Sequence, residues 1–132
     1  MDLKILEIAS NTEHNKVLKK HTHKSKNKNP ICGDEMEISL MVENNKVIDM
    51  GYQCKSCVYC QASVSLISQN IKNKNLEEIK DFINTCENIF ENTKINFEKK
   101  WINFKKLFNK KNISRKDCLL LPLRTIIKAL ND

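Results

Sequence analysis

Apolar residues along this 132-residue chain fall into short blocks of differing period. In "EMEISLMVENNKVIDMGYQ", Met36, Ile38, Leu40 and Val42 alternate with Glu37, Ser39 and Met41, the period of two expected of a strand that buries one face. Asn44-Asn45 tolerates positive φ and "KVIDMGYQ" returns, so the pattern predicts an antiparallel hairpin over about 35–53. From Gln61 the period lengthens, and "QASVSLISQNI" predicts a helix whose small residues let it lie close to a sheet. Asn75 and Glu78 have capping-box spacing. Leu76, Ile79, Phe82, Ile83, Cys86, Ile89 and Phe90 then recur every three or four residues, one face of a second helix. Trp101, Phe104, Leu107 and Phe108 predict a further helix, and "SRKDCLLLPLRTIIKAL" a terminal one. Pro122 has no amide to donate and is expected in the first turn of that helix, which sets Cys118 at or just before its start. Residues 2–10 and 13–20 have weak helical spacing, and 19–29 reads as a polar, basic loop. The expected architecture is α+β, a small antiparallel sheet packed by helices in a single domain over 1–132.

Composition narrows the function. Hydrophobic residues make up 40% and charged residues 30%, an ordinary soluble balance, and 2 Gly with 2 Pro argue against long linkers. The longest apolar runs, such as "CLLLPL", fall far short of the roughly 20 residues that cross a bilayer, so no membrane association is expected. "MDLKILEIAS" lacks a basic flank followed by an apolar stretch and reads as no secretion signal. Six cysteines in that context point to the reducing cytoplasm, where thiols serve metals and catalysis more than disulfides. Net charge is +7, concentrated in "KVLKKHTHKSKNKNP". With aromatics at 6% and no stacking motif among the lysines, nucleic acid is not the expected partner; a solvated face or a surface for an acidic partner is. His14, His21 and His23 read as solvated.

The chemistry lies in the cysteines. "GYQCKSCVYCQAS" spaces Cys54, Cys57 and Cys60 at intervals of three, and "NPICGDEM" sets Cys32 and Asp34 around Gly33, where a tight turn can point both at one ion. Cys57 precedes a helix, and Cys118 lies near another helix start, where the positive end of the dipole favours thiolate. Cys32, Asp34, Cys57 and Cys118 form a four-donor set suited to tetrahedral zinc or to iron-sulfur chemistry. Two other assignments use the same thiols. "CKSCVYC" matches the first three cysteines of a bacterial ferredoxin run with Cys118 as the fourth, an electron carrier; Cys54, Cys57, Cys60 and Cys32 would close a structural zinc tetrahedron. Cys86 lies on the apolar stripe and reads as a core residue.

Three blocks in order, "NPICGD" at 29–34, "CVYCQAS" at 57–63 and "RKDCLLLPLRTIIKAL" at 115–130, resemble the U-type iron-sulfur assembly proteins: IscU, SufU and the N-terminal domain of NifU. The likeness covers about 29–72 and 113–130. It makes Cys57, followed by Ala62-Ser63, the family cysteine, and makes Cys54 and Cys60 additions with auxiliary or sulfur-relay roles at most. From Cys32 to Cys57 is 25 positions and from Cys57 to Cys118 is 61; that long second interval, with Arg115 ahead of the last cysteine, resembles the SufU branch. The inserted helical segment would then be about 85–107. The resemblance implies a site of Cys32, Asp34, Cys57 and Cys118 holding zinc or a nascent [2Fe-2S] cluster. It also implies persulfide sulfur taken from a cysteine desulfurase, on Cys32 or alternatively Cys118, and delivery to apo iron-sulfur proteins. The protein would be a scaffold or a zinc-dependent sulfurtransferase. Asp117 stands where IscU-like members have histidine, and Lys55-Ser56 replaces a glycine-rich approach to Cys57.

Overall fold

The computed structural model describes residues 3–30, 33–92 and 94–131. Its elements run α1 (Leu3–Ala9), β1 (His23–Lys28), β2 (Glu35–Glu43), β3 (Lys46–Lys55), α2 (Val58–Asn70) and α3 (Leu76–Ile89). Two 3-10 helices (Lys99–Lys106 and Lys110–Arg115) lead into α4 (Lys116–Leu130). The strands form one antiparallel sheet in the order β1-β2-β3. The fold is α+β, as the residue pattern predicts.

The β2–β3 hairpin turns at Asn44 and Asn45, both at positive φ (52° and 63°), the backbone that matches strand twist in a two-residue loop. Its register pairs Ile38 with Tyr52 and Leu40 with Met50, so these side chains share one face and are buried beneath the helices. α4 crosses β1 and β2 on that face, α2 packs against α4, and α1 packs against α2. α2 is buried around most of its circumference, serines included, and each buried hydroxyl has a partner. Ser63 donates to the Leu119 carbonyl (2.6 Å), Ser65 to that of Asn11 (2.7 Å) and Ser68 to that of Ser65 (2.7 Å). The α3 capping box forms as the spacing predicts, Glu78 N–H to Asn75 Oδ1 and Asn75 N–H to Glu78 Oε1, both 2.8 Å.

Four expectations change. Residues 23–28 form β1 rather than a loop: "HKSKNK" has one inward residue that is buried, Ser25, whose hydroxyl donates to the Thr125 carbonyl of α4 (2.6 Å). Its lysines suit a sheet edge, where charge discourages further pairing. Residues 13–20 are not helical. They run over β3, with the Tyr52 amide donating to the His14 carbonyl (3.1 Å), and Leu18 is buried. Trp101, Phe104 and Leu107 lie on a 3-10 turn; residues three apart eclipse in that geometry, which puts all three on one buried edge. Pro122 lies in the second turn of α4, because that helix starts at Lys116 out of the preceding 3-10 turn. It removes the amide that would reach the Cys118 carbonyl, and Cys118 sits inside the first turn.

Gly51 marks where the 13–20 segment touches the sheet. A Cβ there would overlap the Lys16 carbonyl oxygen and crowd Leu18 and the Ser39 hydroxyl, which itself donates to the Gly51 carbonyl (3.4 Å). Gly51→Ala is expected to lose about 1–3 kcal/mol, read as a lower urea midpoint. An unchanged midpoint would mean that the segment does not press on the strand.

Candidate metal centre

The site forms where the sheet end meets the starts of two helices. The β1–β2 turn is closed by the Asn29 amide on the Asp34 carbonyl and the Gly33 amide on the Asn29 carbonyl, both 2.8 Å. Gly33 takes φ +77°, the left-handed conformation that a side chain would resist. This turn delivers Asp34, only 6% exposed, to the head of β2. Asp34 Oδ1 accepts the Cys57 amide (3.1 Å), while Oδ2 is buried with no hydrogen-bond partner.

Cys57 is the N-cap of α2, in extended backbone (φ −70°, ψ 167°), and its carbonyl accepts the Gln61 amide (3.0 Å) to close the first turn. Only Lys55 and Ser56 separate Cys57 from Cys54 on β3, so strand and helix are joined at a fixed angle. Cys118 enters from the first turn of α4. The Ser63 bond to the Leu119 carbonyl holds that turn against α2 from a fully buried position. On the outer side of α4, Arg124 makes two 2.8 Å bonds to Glu87 of α3 and one of 3.3 Å to Asp117. The Arg115 guanidinium lies over the Tyr59 ring (5.2 Å).

These placements bring a carboxylate oxygen of Asp34 and the sulfurs of Cys57 and Cys118 within 4.8 Å of one another. Metal–sulfur bonds of about 2.3 Å in a tetrahedron put donors about 3.8 Å apart, so a small inward shift of these side chains would gather them on one ion. The orphaned Asp34 Oδ2 fits that reading: a buried acceptor without a partner costs about 1–3 kcal/mol, and a cation would satisfy it. Cys32 lies outside the described residues.

The added thiols are distributed differently. Cys60, the third residue of α2, is fully buried, and burial pushes its thiol well above the ordinary cysteine range. Cys54 is half-buried, its thiol raised chiefly by burial, and it lines an open groove of about 760 Å³ with Lys26, Lys28, Lys55 and Lys128. The Ser56 hydroxyl lies beside both thiols without hydrogen-bond geometry to either. Neither Cys54 nor Cys60 belongs to the convergent group. Cys86 is buried in the core of α3, its thiol likewise raised by burial. No histidine joins a metal-binding group among the described residues; the His23 Nδ1 pairs with the Thr22 hydroxyl (2.7 Å). Sequence reasoning missed the parts played by Ser63 and by the Asp34–Cys57 amide bond. The Ala62-Ser63 pair after Cys57 is the signal that carried the first, since a fully buried serine must find a partner.

The family profile described as the NifU-like N-terminal domain matches residues 2–99. The iron-sulfur cluster assembly scaffold protein IscU of Thermotoga maritima is 32% identical over 127 residues, covering 96% of this chain and 89% of that protein. Among solved structures, the N-terminal NifU-like protein of Brucella abortus superposes with a TM-score of 0.90 at 19% identity, over 98% of this chain and 91% of the other. A SUF-system scaffold protein from Fervidobacterium islandicum AW-1 gives 0.87 at 22% identity, over 98% and 96%. Among the described residues no helix is long and apolar enough to cross a membrane. The fold agrees with both structures and the sequence match spans most of the chain, so this protein belongs to the NifU-like N-terminal domain family.

Proposed function

We propose that this protein is an iron-sulfur cluster assembly scaffold of the IscU/SufU type, holding a nascent [2Fe-2S] cluster on Cys32, Asp34, Cys57 and Cys118. The observation that carries the reading is the convergence of three donors from three different elements, with Asp34 Oδ2 buried and unpartnered. Zinc is the alternative occupant, because the donor spacing also suits a single tetrahedral ion; the protein would then be a zinc-dependent sulfurtransferase of the SufU kind. The partners are a cysteine desulfurase, which supplies persulfide sulfur, and the apo-proteins that receive the cluster.

Each residue has a role in this reading. A thiolate must reach the persulfide on the desulfurase, which demands access. Cys118 is 7% exposed and poorly placed for that attack, so Cys32 is the proposed acceptor. Cys57 and Cys118, on helix starts, hold the cargo where the positive helix ends offset thiolate charge. Asp34 supplies a hard oxygen among soft sulfurs, a ligand easily exchanged, and orients Cys57 through its amide.

Mixed anaerobically with ferrous iron, cysteine and a cysteine desulfurase, the protein is expected to develop [2Fe-2S] absorption and then pass it to an apo-ferredoxin. Iron sulfide in solution with no protein-bound chromophore would reject the scaffold reading. Asp34→Ala is expected to lengthen the bound cluster's lifetime against a chelator several-fold; an unchanged lifetime would remove the exchange role from the carboxylate.

A further inference from the structure

Cys54 and Cys60, two thiols beside the centre, are not used by the reading above. Cys57 and Cys60 form a C-x-x-C pair at the start of α2, the first as N-cap and the second as third helical residue. The extended conformation of Cys57 turns its Cβ back over the first turn, the placement by which N-cap side chains reach the third residue. The Gln61 amide on the Cys57 carbonyl closes that turn, so the two Cα atoms are about 5–6 Å apart, inside the disulfide range. Bond formation therefore needs side-chain rotation and no unwinding. Both cysteines are free thiols in the structure. Cys60 is fully buried, so solution reagents cannot reach it and only a neighbouring group can bring sulfur to it.

We propose that Cys60 is a resolving thiol that reduces a persulfide on Cys57 to sulfide, leaving a Cys57–Cys60 disulfide. The proposal rests on the scaffold reading above and extends it: Cys57, a cluster donor there, would also carry persulfide sulfur in transit. Persulfide sulfur reaches Cys57 directly from a sulfane-sulfur donor or by exchange from Cys32. Cys60 gives up its proton, and its sulfur electron pair forms a bond to Cys57 Sγ. The bond from Sγ to the outer sulfur breaks, and that sulfur leaves with the bonding pair as HS⁻, which takes the proton. The outer sulfur is thereby reduced to sulfide and the Cys60 sulfur oxidised to the disulfide level, so no external electron is needed in this step. An external dithiol then restores the two thiols by exchange. The helix start assists, since its positive end favours the negative charge that develops on the outer sulfur departing from Cys57. A cluster requires sulfide rather than sulfane sulfur, so this pair would supply the sulfur in the oxidation state needed, next to the donors that receive it.

The test uses the reduced full-length protein, treated anaerobically with inorganic polysulfide, desalted, and followed by intact mass and by trapping of released sulfide. Wild type is expected to gain one sulfur atom, lose it as sulfide, and end two hydrogens lighter, with peptide mapping joining Cys57 to Cys60. In Cys60→Ser the persulfide on Cys57 should persist about tenfold longer, while zinc binding at the neighbouring donors is retained. Cys54→Ser should behave as wild type. Equal persulfide lifetimes in wild type and Cys60→Ser, or loss of sulfide release in Cys54→Ser instead, would overturn the assignment even with the scaffold site intact. Failure of Cys57 to gain sulfur in any form would reject its sulfur-handling role and the resolving step together. Mapping in the wild type does not depend on the variant folding: absence of the Cys57–Cys60 linkage after sulfide release is itself contrary.

Discussion

Cys57→Ser and Cys118→Ser are each expected to weaken zinc binding by about a hundredfold or more, measured by competition with a chromophoric chelator. Loss of even a supporting residue costs metal sites roughly 10–100-fold, and these substitutions remove donors outright. A serine hydroxyl is a poor ligand, and neither position has a second sulfur in the convergent group to replace it. The effect should also appear in stability. Zinc at 1,000 times its Kd stabilises a folded protein by about 4 kcal/mol, so the rise in Tm on adding zinc to wild type should shrink in both variants. Cys54→Ser, which changes a thiol outside the group, is expected to keep affinity within a few-fold. Wild-type affinity in Cys118→Ser would remove α4 from the site.

Phe104→Ala is expected to cost about 3–5 kcal/mol, a large share of the roughly 5–15 kcal/mol that holds a typical domain together. Phe104 is fully buried among Phe82 (ring centroids 4.6 Å), Trp101 (6.0 Å), Phe108 (6.2 Å) and Phe97 (6.4 Å). Ile102, one turn edge away and 44% exposed, should lose less than about 0.5 kcal/mol as alanine. We propose that residues 85–107 are an integral part of one domain over 1–132, since their aromatic rings pack on α3. A single unfolding transition shifted as a whole in Phe104→Ala supports this. A global midpoint that stays put, with loosening confined to 85–107 in hydrogen exchange, would make that segment an appendage.

Legibility followed the side chains. The β2–β3 hairpin and α3 could be read because burial there is carried by apolar residues at a regular period, with Asn44-Asn45 and Asn75/Glu78 marking the turn and the cap. β1 could not. An edge strand with three lysines and one asparagine is held by ladder bonds and by its own Ser25 bonding to α4, and neither has a hydrophobic signature. The placement of 13–20 was hidden for a related reason: it depends on a backbone carbonyl fitting over Gly51, a contact between residues 35 positions apart. Pro122 misled because proline is best tolerated in a first turn, whereas here the packing of Leu119, Leu120 and Leu123 outweighs one missing amide. At the site, the residue types and the turn around Gly33 were visible in the chain. The bond from the Cys57 amide to Asp34 and the full burial of Cys60 outside the convergent group are tertiary facts that no spacing encodes.

The most direct test of the central claim, that Asp34 joins Cys32, Cys57 and Cys118 around one metal, is zinc K-edge X-ray absorption on protein loaded with one equivalent. Three sulfurs at about 2.3 Å and one oxygen at about 2.0–2.2 Å are expected, with Asp34→Ala losing the carboxylate oxygen and the Cys54/Cys60 double serine variant leaving the spectrum unchanged. A four-sulfur shell, or a shell that changes in the Cys54/Cys60 variant, would contradict the account.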